Sequence, residues 1–507
     1  MPEEILRRVL TAPVYDVAKE TPLELAPLLS KRLQNKIYFK REDLQPVFSF
    51  KLRGAYNRMV QLSEEERRAG VITASAGNHA QGVALSASKL GVSATIVMPE
   101  TTPPIKVNSV KNWGGNVVLI GDSYDQASAY AKQLVEEKKL TYIPPYDDLD
   151  VIAGQGTIAL EMLRQHSKPL DVIFVCVGGG GLIAGIAAVI KQVSPKTRII
   201  GVEPEDAACM TEALKAGERV ILDSVGIFAD GVAVKQVGEI PFRIAQTCVD
   251  EMITVKTDEI CAAIKDVFED TRAIAEPAGA LAVAGVKKFV EKYNVSGLEM
   301  AVTISGANMN FDRLRHVSER TELGEKREVI FAVSIDEKPG SFKKFCELLG
   351  SRRAITEFNY RYSDSKKAVV FVGVRTEGGA AEKEAIISSL QAHDYSVQDM
   401  TDNEMAKLHL RYMVGGHAKG VKNEVLYRFQ FPERPGALLD FLVLMSEDWN
   451  ISLFHYRNHG AAYGRVLVGV QVPSDQINEF EQYLDSLGYP YNNEQDNPGY
   501  KLFLQPV

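Results

Sequence analysis

The chain has only five cysteines, at 176, 209, 248, 261 and 346, and no C-x-x-C pair. An odd count without paired spacing excludes a disulfide framework and a cysteine zinc site, and it points to a reducing compartment. Burial is the default role for all five. An excess of positive charge is also lacking. The formal net charge is −8 and no long Lys/Arg block occurs, so nothing suggests nucleic-acid binding, which needs a basic surface. Met1-Pro2-Glu3-Glu4 is acidic and no apolar signal core follows it, so a cytoplasmic chain is expected. One uncharged run, 172–190, is long enough to span a membrane. It holds glycines at 178, 179, 180, 181 and 185 and opens on β-branched residues. A strand, loop and helix inside an α/β core explain it better, and no membrane association is expected.

With 507 residues, 45% of them apolar and 24% charged, the chain is a soluble globular type of two to four domains. From about 38 to 306, short apolar strands alternate with helical stretches. The strand candidates are 71–75, 94–98, 116–120, 172–177, 199–203, 252–255 and 301–305; helices include 125–138 and 258–269. This alternation predicts an α/β fold with a mostly parallel sheet. Ligands of such sheets gather beyond the carboxyl ends of strands. Ser75, Gly178 and Ser305 all stand at or just after such ends.

Three segments carry candidate chemistry. Ser49-Phe50-Lys51-Leu52-Arg53-Gly54-Ala55 places a lysine where a helix toward Val60 begins, with Ser49 as a candidate cap. The positive end of the helix dipole and burial both disfavour its ammonium form. A neutral amine forms a Schiff base with an aldehyde cofactor; an ordinary surface lysine is the alternative. Ser75-Ala76-Gly77-Asn78-His79-Ala80-Gln81-Gly82 follows a strand and opens a helix, with residue types that let backbone N–H groups converge on an anion such as a carboxylate. Simple capping explains Asn78 and His79 as well. Gly178-Gly179-Gly180-Gly181-Leu182 follows a buried strand and opens an apolar helix. Four consecutive glycines cost backbone entropy, which suits a loop whose amides must approach a phosphate closely.

The glycine run has a rival reading. Gly179, Gly181 and Ala184 fit the G-x-G-x-x-G/A spacing of a dinucleotide fold, and Glu203 ends the next strand where a ribose-binding acid belongs. A nicotinamide-dependent oxidoreductase would follow. That reading leaves the Lys51 and Ser75–Gly82 segments unexplained.

Around 320–328 the sequence becomes a charged connector. Beyond it lies an internal repeat with a constant offset of 96 residues. Glu337-Lys338-Pro339-Gly340 recurs as Glu433-Arg434-Pro435-Gly436, Phe358-Asn359-Tyr360-Arg361 as Phe454-His455-Tyr456-Arg457, and Val372-Gly373-Val374 as Val468-Gly469-Val470. Each copy reads as a ferredoxin-like βαββαβ unit, with Gly415 and Gly416 in a loop-like joint between them.

The lysine segment, the Ser75–Gly82 segment, the glycine run and Ser305-Gly306-Ala307-Asn308, in this order, resemble the threonine/serine dehydratases of the fold-type-II (tryptophan synthase beta-like) pyridoxal phosphate enzymes. With the C-terminal region included, nearly the whole chain is similar to the biosynthetic threonine deaminases (threonine ammonia-lyases), and the repeats resemble ACT modules. The resemblance implies a pyridoxal 5'-phosphate catalytic domain at 1–320 with a small subdomain at roughly 55–150. A connector at 321–328, ACT-like domains at 329–402 and 425–500, and a joint at 403–424 complete it. It implies that Lys51 carries the cofactor aldehyde as a Schiff base and then removes the α-proton. Gly178, Gly179, Gly180, Gly181 and Leu182 would hold the phosphate. Ser75, Ala76, Gly77, Asn78 and His79 would hold the substrate carboxylate, with Asn78 also on the ring hydroxyl.

Ser305 would face the pyridine nitrogen, where many enzymes of this cofactor place an acid; a plain turn residue after a strand is the alternative. A hydroxyl leaves the ring neutral, a weaker sink that favours β-elimination over transamination. Glu276, in Glu276-Pro277-Ala278-Gly279-Ala280, would either face the cofactor or cap a helix. Glu203 and Asp230 lie near positions where some relatives bind a divalent cation, but no close ligand cluster is visible and no metal is expected. The implied reaction takes L-threonine, and also L-serine, to a 2-oxo acid and ammonia. The implied pathway is isoleucine synthesis, with isoleucine as inhibitor, valine as counter-effector and a homotetramer as the assembly. Effector pockets are expected near Phe358, Tyr360, Arg361, Phe454, Tyr456 and Arg457; exposed strand positions or helix packing would explain those residues equally. Competing readings are a serine dehydratase or racemase with the same front half, the oxidoreductase, and a non-catalytic amino-acid sensor.

Overall fold

The computed structural model describes residues 2–506 apart from 122, 312, 350–352, 363–365, 409, 414, 433–436, 444, 447 and 458–462. The chain divides into two compact units, Met1–Gly324 and Glu325–Val507. The division falls inside the charged stretch read as a connector, whose first part is helical: the helix Arg313–Gly324 runs through it.

The first unit holds two sheets. The larger has six strands in the order Leu23–Leu25, Lys36–Arg41, Glu299–Ile304, Val172–Cys176, Arg198–Pro204 and Glu251–Val255. All neighbours pair parallel except the edge strand Leu23–Leu25. Val172–Cys176 is buried at every position, as the unbroken apolar run requires of a strand covered on both faces. The smaller sheet has four parallel strands in the order Asn116–Leu119, Ala94–Met98, Val71–Ala74 and Thr141–Tyr142. The run 172–190 is strand, loop and helix, and no helix among the described residues is long and apolar enough to cross a membrane.

The second unit is one eight-stranded antiparallel sheet. Its first copy supplies Ser396–Asp399, Glu328–Asp336, Lys367–Arg375 and Ile355–Arg361 in spatial order; its second supplies Asn450–Arg457, Tyr463–Gln471, Glu424–Pro432 and Tyr491–Asn493. Each copy thus keeps the same strand order, and the two meet edge to edge at their second strands. There Phe358 stands opposite Tyr456, Asn359 opposite His455 and Tyr360 opposite Phe454, so a local two-fold passes through the Asn359–His455 pair. The joint is not a plain loop: Glu404–Leu408 is helical and Leu410–Tyr412 forms a 3-10 turn. The second Pro-Gly turn, Pro435-Gly436, lies outside the described residues.

Candidate active site

Lys51 is the first residue of the helix Lys51–Val60. Ser49 does not cap it. The N-cap is Phe50, in helical conformation and without a side-chain bond, while Ser49 bridges to Gly306 and its buried hydroxyl has no partner among the described residues. The bridge and the Phe50 N–H to Ser305 carbonyl bond (3.2 Å) fasten the start of this helix to the end of the strand Glu299–Ile304. Lys51 Nζ donates to the Pro145 carbonyl at 2.8 Å. Burial, only weakly opposed, pushes its pKa down to about 8, so the neutral amine is far more accessible near neutral pH than for an ordinary lysine.

The glycine loop faces the same place. Gly180 has φ +93, in the left-handed region, and directly precedes the helix Gly181–Val193. The ring of Tyr146 lies across the loop: a Cβ on Gly179 would stand 2.2 Å from it, and one on Gly178 would stand 2.9 Å from the Val232 backbone. Pro145 and Tyr146 therefore link Lys51 to the loop. The first amides of a helix have no intrahelical acceptor and lie at the positive dipole end. The Leu182 side chain is buried, which leaves its amide as the group to offer.

Asn78 opens the helix Asn78–Leu90 after the N-cap Gly77, and the Ser75 hydroxyl accepts from the Gly77 N–H at 3.3 Å. Gly82 brings this helix onto the Lys51–Leu52 backbone, where a Cβ would sit 3.0 Å from Leu52 N. His79 is buried, with Nε2 on the Ile143 carbonyl at 2.9 Å and Nδ1 without a partner among the described residues. Burial, helped by the nearby Lys51, pushes its pKa down to about 3, so its imidazole is neutral.

Ser305 is buried, and its Oγ donates to the Ala278 carbonyl at 3.2 Å. Cys176, the last residue of its strand, lies near both Ser305 and Lys51; burial raises its thiol to about 11 against the Ser305 hydrogen bond. Four sequence-distant segments thus meet: the Lys51 helix start, the Asn78 helix start, the glycine loop and the Ser305 strand end.

Sequence reasoning missed Pro145, Tyr146 and Cys176 as site residues. It left Glu276 open between two roles and gave Asn308 none. Glu276 precedes the helix Pro277–Tyr293 but makes no side-chain cap bond. Its Oε1 accepts from Asn78 Nδ2 at 2.5 Å. Burial, then the Asp230 charge, raises its pKa to about 7 against Asn78, Lys106 and Arg313. Asp230 pairs with Lys106 at 2.6 Å and Arg313 at 3.3 Å. Among the described residues no cluster suited to a metal ion occurs.

Glu203 does not wait for a ribose. Its carboxylate accepts from the Met210 N–H (2.8 Å), the Thr211 N–H (2.9 Å) and the Thr211 hydroxyl (2.7 Å) at the start of the helix Cys209–Ala216. The acid that supported a nicotinamide site is occupied in holding a helix end.

In the second unit, Phe358 and Phe454 are buried with ring centroids 5.4 Å apart, in one core with Tyr360 and Tyr456. The Tyr360 hydroxyl donates to Glu337. Arg361 is tied to Glu424 at 2.5 Å and to the carbonyls of Gly416, Ser452 and Leu504. The Arg457 side chain lies outside the described set.

Residues 14–306 match the family described as pyridoxal-phosphate dependent enzymes. Residues 319–410 and 415–504 each match the C-terminal regulatory domain of threonine dehydratase. The chain is 55% identical over 506 residues to the biosynthetic L-threonine dehydratase of Burkholderia multivorans, covering 99% of both chains. It is similar to the solved processed form of threonine deaminase isoform 2 from Solanum lycopersicum, at 53% identity and a TM-score of 0.62, over 63% of this chain and 93% of that one. Maize serine racemase matches at 31% identity and a TM-score of 0.58, over 62% of this chain and 96% of its own.

Proposed function

The chain belongs to the pyridoxal-phosphate-dependent enzymes and, along its whole length, to the biosynthetic threonine dehydratases; on that premise we propose that it converts L-threonine to 2-oxobutanoate and ammonia by β-elimination of the hydroxyl group. The observation that carries this reading is a desolvated amine, that of Lys51, set beside a glycine loop whose amides stand at the start of the helix Gly181–Val193 and whose missing side chains let Tyr146, Val232 and Pro241 pack against it. The residues present fit pyridoxal phosphate: an amine with a lowered pKa for its aldehyde, amides at a helix start for its phosphate, and a buried hydroxyl at Ser305 for its ring nitrogen. When bound, the cofactor supplies an electron sink for the bond broken at the substrate α-carbon.

The protein does the rest by position. Gly178, Gly179, Gly180, Gly181 and Leu182 hold the phosphate through backbone N–H groups. Lys51, whose lowered pKa makes the neutral amine accessible, takes the α-proton on Nζ. The segment Ser75 to His79 receives the substrate carboxylate at the start of its helix, with the neutral His79 adding no charge. Asn78 faces the ring hydroxyl. Ser305, a hydroxyl rather than an acid, leaves the ring nitrogen neutral, which favours elimination. L-serine is a second substrate, since one methyl group in a pocket discriminates by only about 1–3 kcal/mol.

The second unit is the seat of control. We propose that isoleucine binds it and inhibits, that valine opposes isoleucine, and that effectors dock beside the paired strands holding Phe358, Tyr360 and Arg361, and Phe454, Tyr456 and Arg457. The working form is a cytoplasmic homotetramer with domains at 1–320, 329–402 and 425–500. The racemase reading is disfavoured because the maize racemase matches only 62% of this chain, whereas the regulatory matches extend through 504.

Borohydride reduction of the holoenzyme followed by peptide mapping tests the central claim: the label is expected on Lys51, with threonine-dependent release of 2-oxobutanoate before reduction. A label elsewhere overturns it. Isoleucine titration of the full-length enzyme tests the regulatory claim: turnover falls, and Tyr360→Phe changes the inhibition midpoint without changing uninhibited kcat.

A further inference from the structure

A backbone carbonyl accepts hydrogen bonds and never donates, so the Val47 carbonyl orients everything bonded to it in sequence. Asn308 Nδ2 donates to Val47 O at 2.8 Å and to Asn78 Oδ1 at 2.6 Å, which uses both of its protons. The oxygen of the Asn78 amide is thereby assigned, and its nitrogen faces Glu276, donating to Oε1 at 2.5 Å. One Asn78 proton remains uncommitted in this chain of bonds. Flipping the Asn78 amide would set N–H against N–H at Asn308 and oxygen against the carboxylate at Glu276. Glu276 is itself held in a tight wall. It is buried, and a Cβ on Gly306 would stand 2.4 Å from its Oε1 and one on Gly231 3.8 Å away. Its backbone N–H donates to the Gly306 carbonyl at 3.1 Å.

We propose that Glu276 and Asn308 are positioning residues that clamp Asn78 from two sides, so that its remaining N–H is presented to the ring oxygen of the bound cofactor and holds that oxygen in its ionised form. This rests on the reading that Asn78 faces that oxygen. The clamp spends no charge of its own on substrate. It converts a side chain able to flip into a donor of fixed sense, and a donor stabilises an ionised oxygen over a neutral one.

The test is the absorbance of holoenzyme variants at matched cofactor content. The cofactor absorbs in the visible when its ring oxygen is ionised and in the near ultraviolet when it is neutral. Glu276→Ala and Asn308→Ala are each expected to move intensity from the visible to the ultraviolet band. Each is also expected to lower kcat by about tenfold, the worth of one oriented hydrogen bond, with the KM for threonine changed by less than about twofold. Glu276→Gln keeps an acceptor oxygen and restores most of the visible band. Lower melting temperature with an unmoved band ratio in both alanine variants would mark a merely structural role and overturn the clamp. Asn78→Ala separates the two layers. If it shifts the bands while the other variants do not, the clamp falls and the Asn78 reading stands; if it leaves them unmoved, the Asn78 reading falls and takes the clamp with it. Should Glu276→Ala fail to fold, Asn308→Ala decides.

Discussion

Lys40 and Lys51 are both drawn out of water in the first unit, and their surroundings are opposites. Lys40 is fully buried against Glu161 at 2.5 Å, with the Thr21 carbonyl and Gln165 completing its donors. Arg53 joins the same cluster, paired with Glu42 at 2.8 Å and Glu161 at 2.5 Å. Burial lowers the Lys40 pKa, but Glu161 and Glu42 pull against it. Lys51 meets one carbonyl and no carboxylate among the described residues, and burial prevails. Lys51 and Arg53 share the first turn of one helix, so that turn carries a saturated ionic cluster through one residue and an amine without a counter-charge through the other. Burial alone does not make a lysine reactive; the absence of a paired anion does.

Four measurements break or sharpen this contrast. The largest effect belongs to Lys51→Ala, expected to lower threonine turnover by roughly 10⁴-fold while circular dichroism and the thermal midpoint stay near those of the parent. The same substitution at Lys40 should do the reverse. Leaving Glu161 short of a partner costs about 3–5 kcal/mol in urea unfolding, with kcat per folded molecule largely kept. If Lys40→Ala instead abolished turnover without destabilising the fold, the division of labour would be wrong.

The third measurement is a pH titration of the cofactor-free protein. Labelling of the Lys51 amine by an acylating reagent is expected to rise through a midpoint near 8, while Lys40 stays unlabelled. The linked stability has a defined sign. The folded value of Lys51 lies below the ordinary 10.5, so between about pH 8 and 10.5 the unfolded chain holds the extra proton and stability from this group rises with pH. Glu276 acts oppositely. Its folded value near 7 lies above 4.5, so its contribution declines as pH rises from about 4.5 to 7, a slope that Glu276→Gln should remove. The smallest effect is at Ser49, whose buried hydroxyl lacks a partner among the described residues. Ser49→Ala should change the stability of the cofactor-free protein by no more than about 1 kcal/mol, because no hydrogen bond is lost.

Much of the first unit was legible because its strands are short apolar runs followed by glycine or polar residues such as Ser75, Gly178 and Ser305. The strand Ala94–Met98 was placed to the residue, and the glycine loop announced itself by a composition that only close approach explains. The Ser49 cap failed for a non-local reason: Ser49 stands in a bridge with Gly306, far along the chain, and the helix begins one residue later, with Phe50 as its N-cap. Pro145 and Tyr146 left no signal because their part is played by a backbone oxygen and a ring lying on glycines. Glu276 looked like a cap from its place before a proline-led helix, and only the folded chain shows its carboxylate on Asn78. In the second unit the offset of 96 residues exposed the repeat, but edge-to-edge pairing of two identical folds has no local sequence mark. The Phe-x-Tyr-Arg pairs were legible as equivalent and not as facing one another.

That seam has a consequence for how the regulatory half can be cut or inherited. Strands Ile355–Arg361 and Asn450–Arg457 satisfy each other's backbone groups, and either repeat made alone would bare a naked, aromatic-rich edge, the usual template for aggregation. Duplication here did more than double a regulatory module: each twin became the other's cover, so a repeat made without its sibling is expected to aggregate.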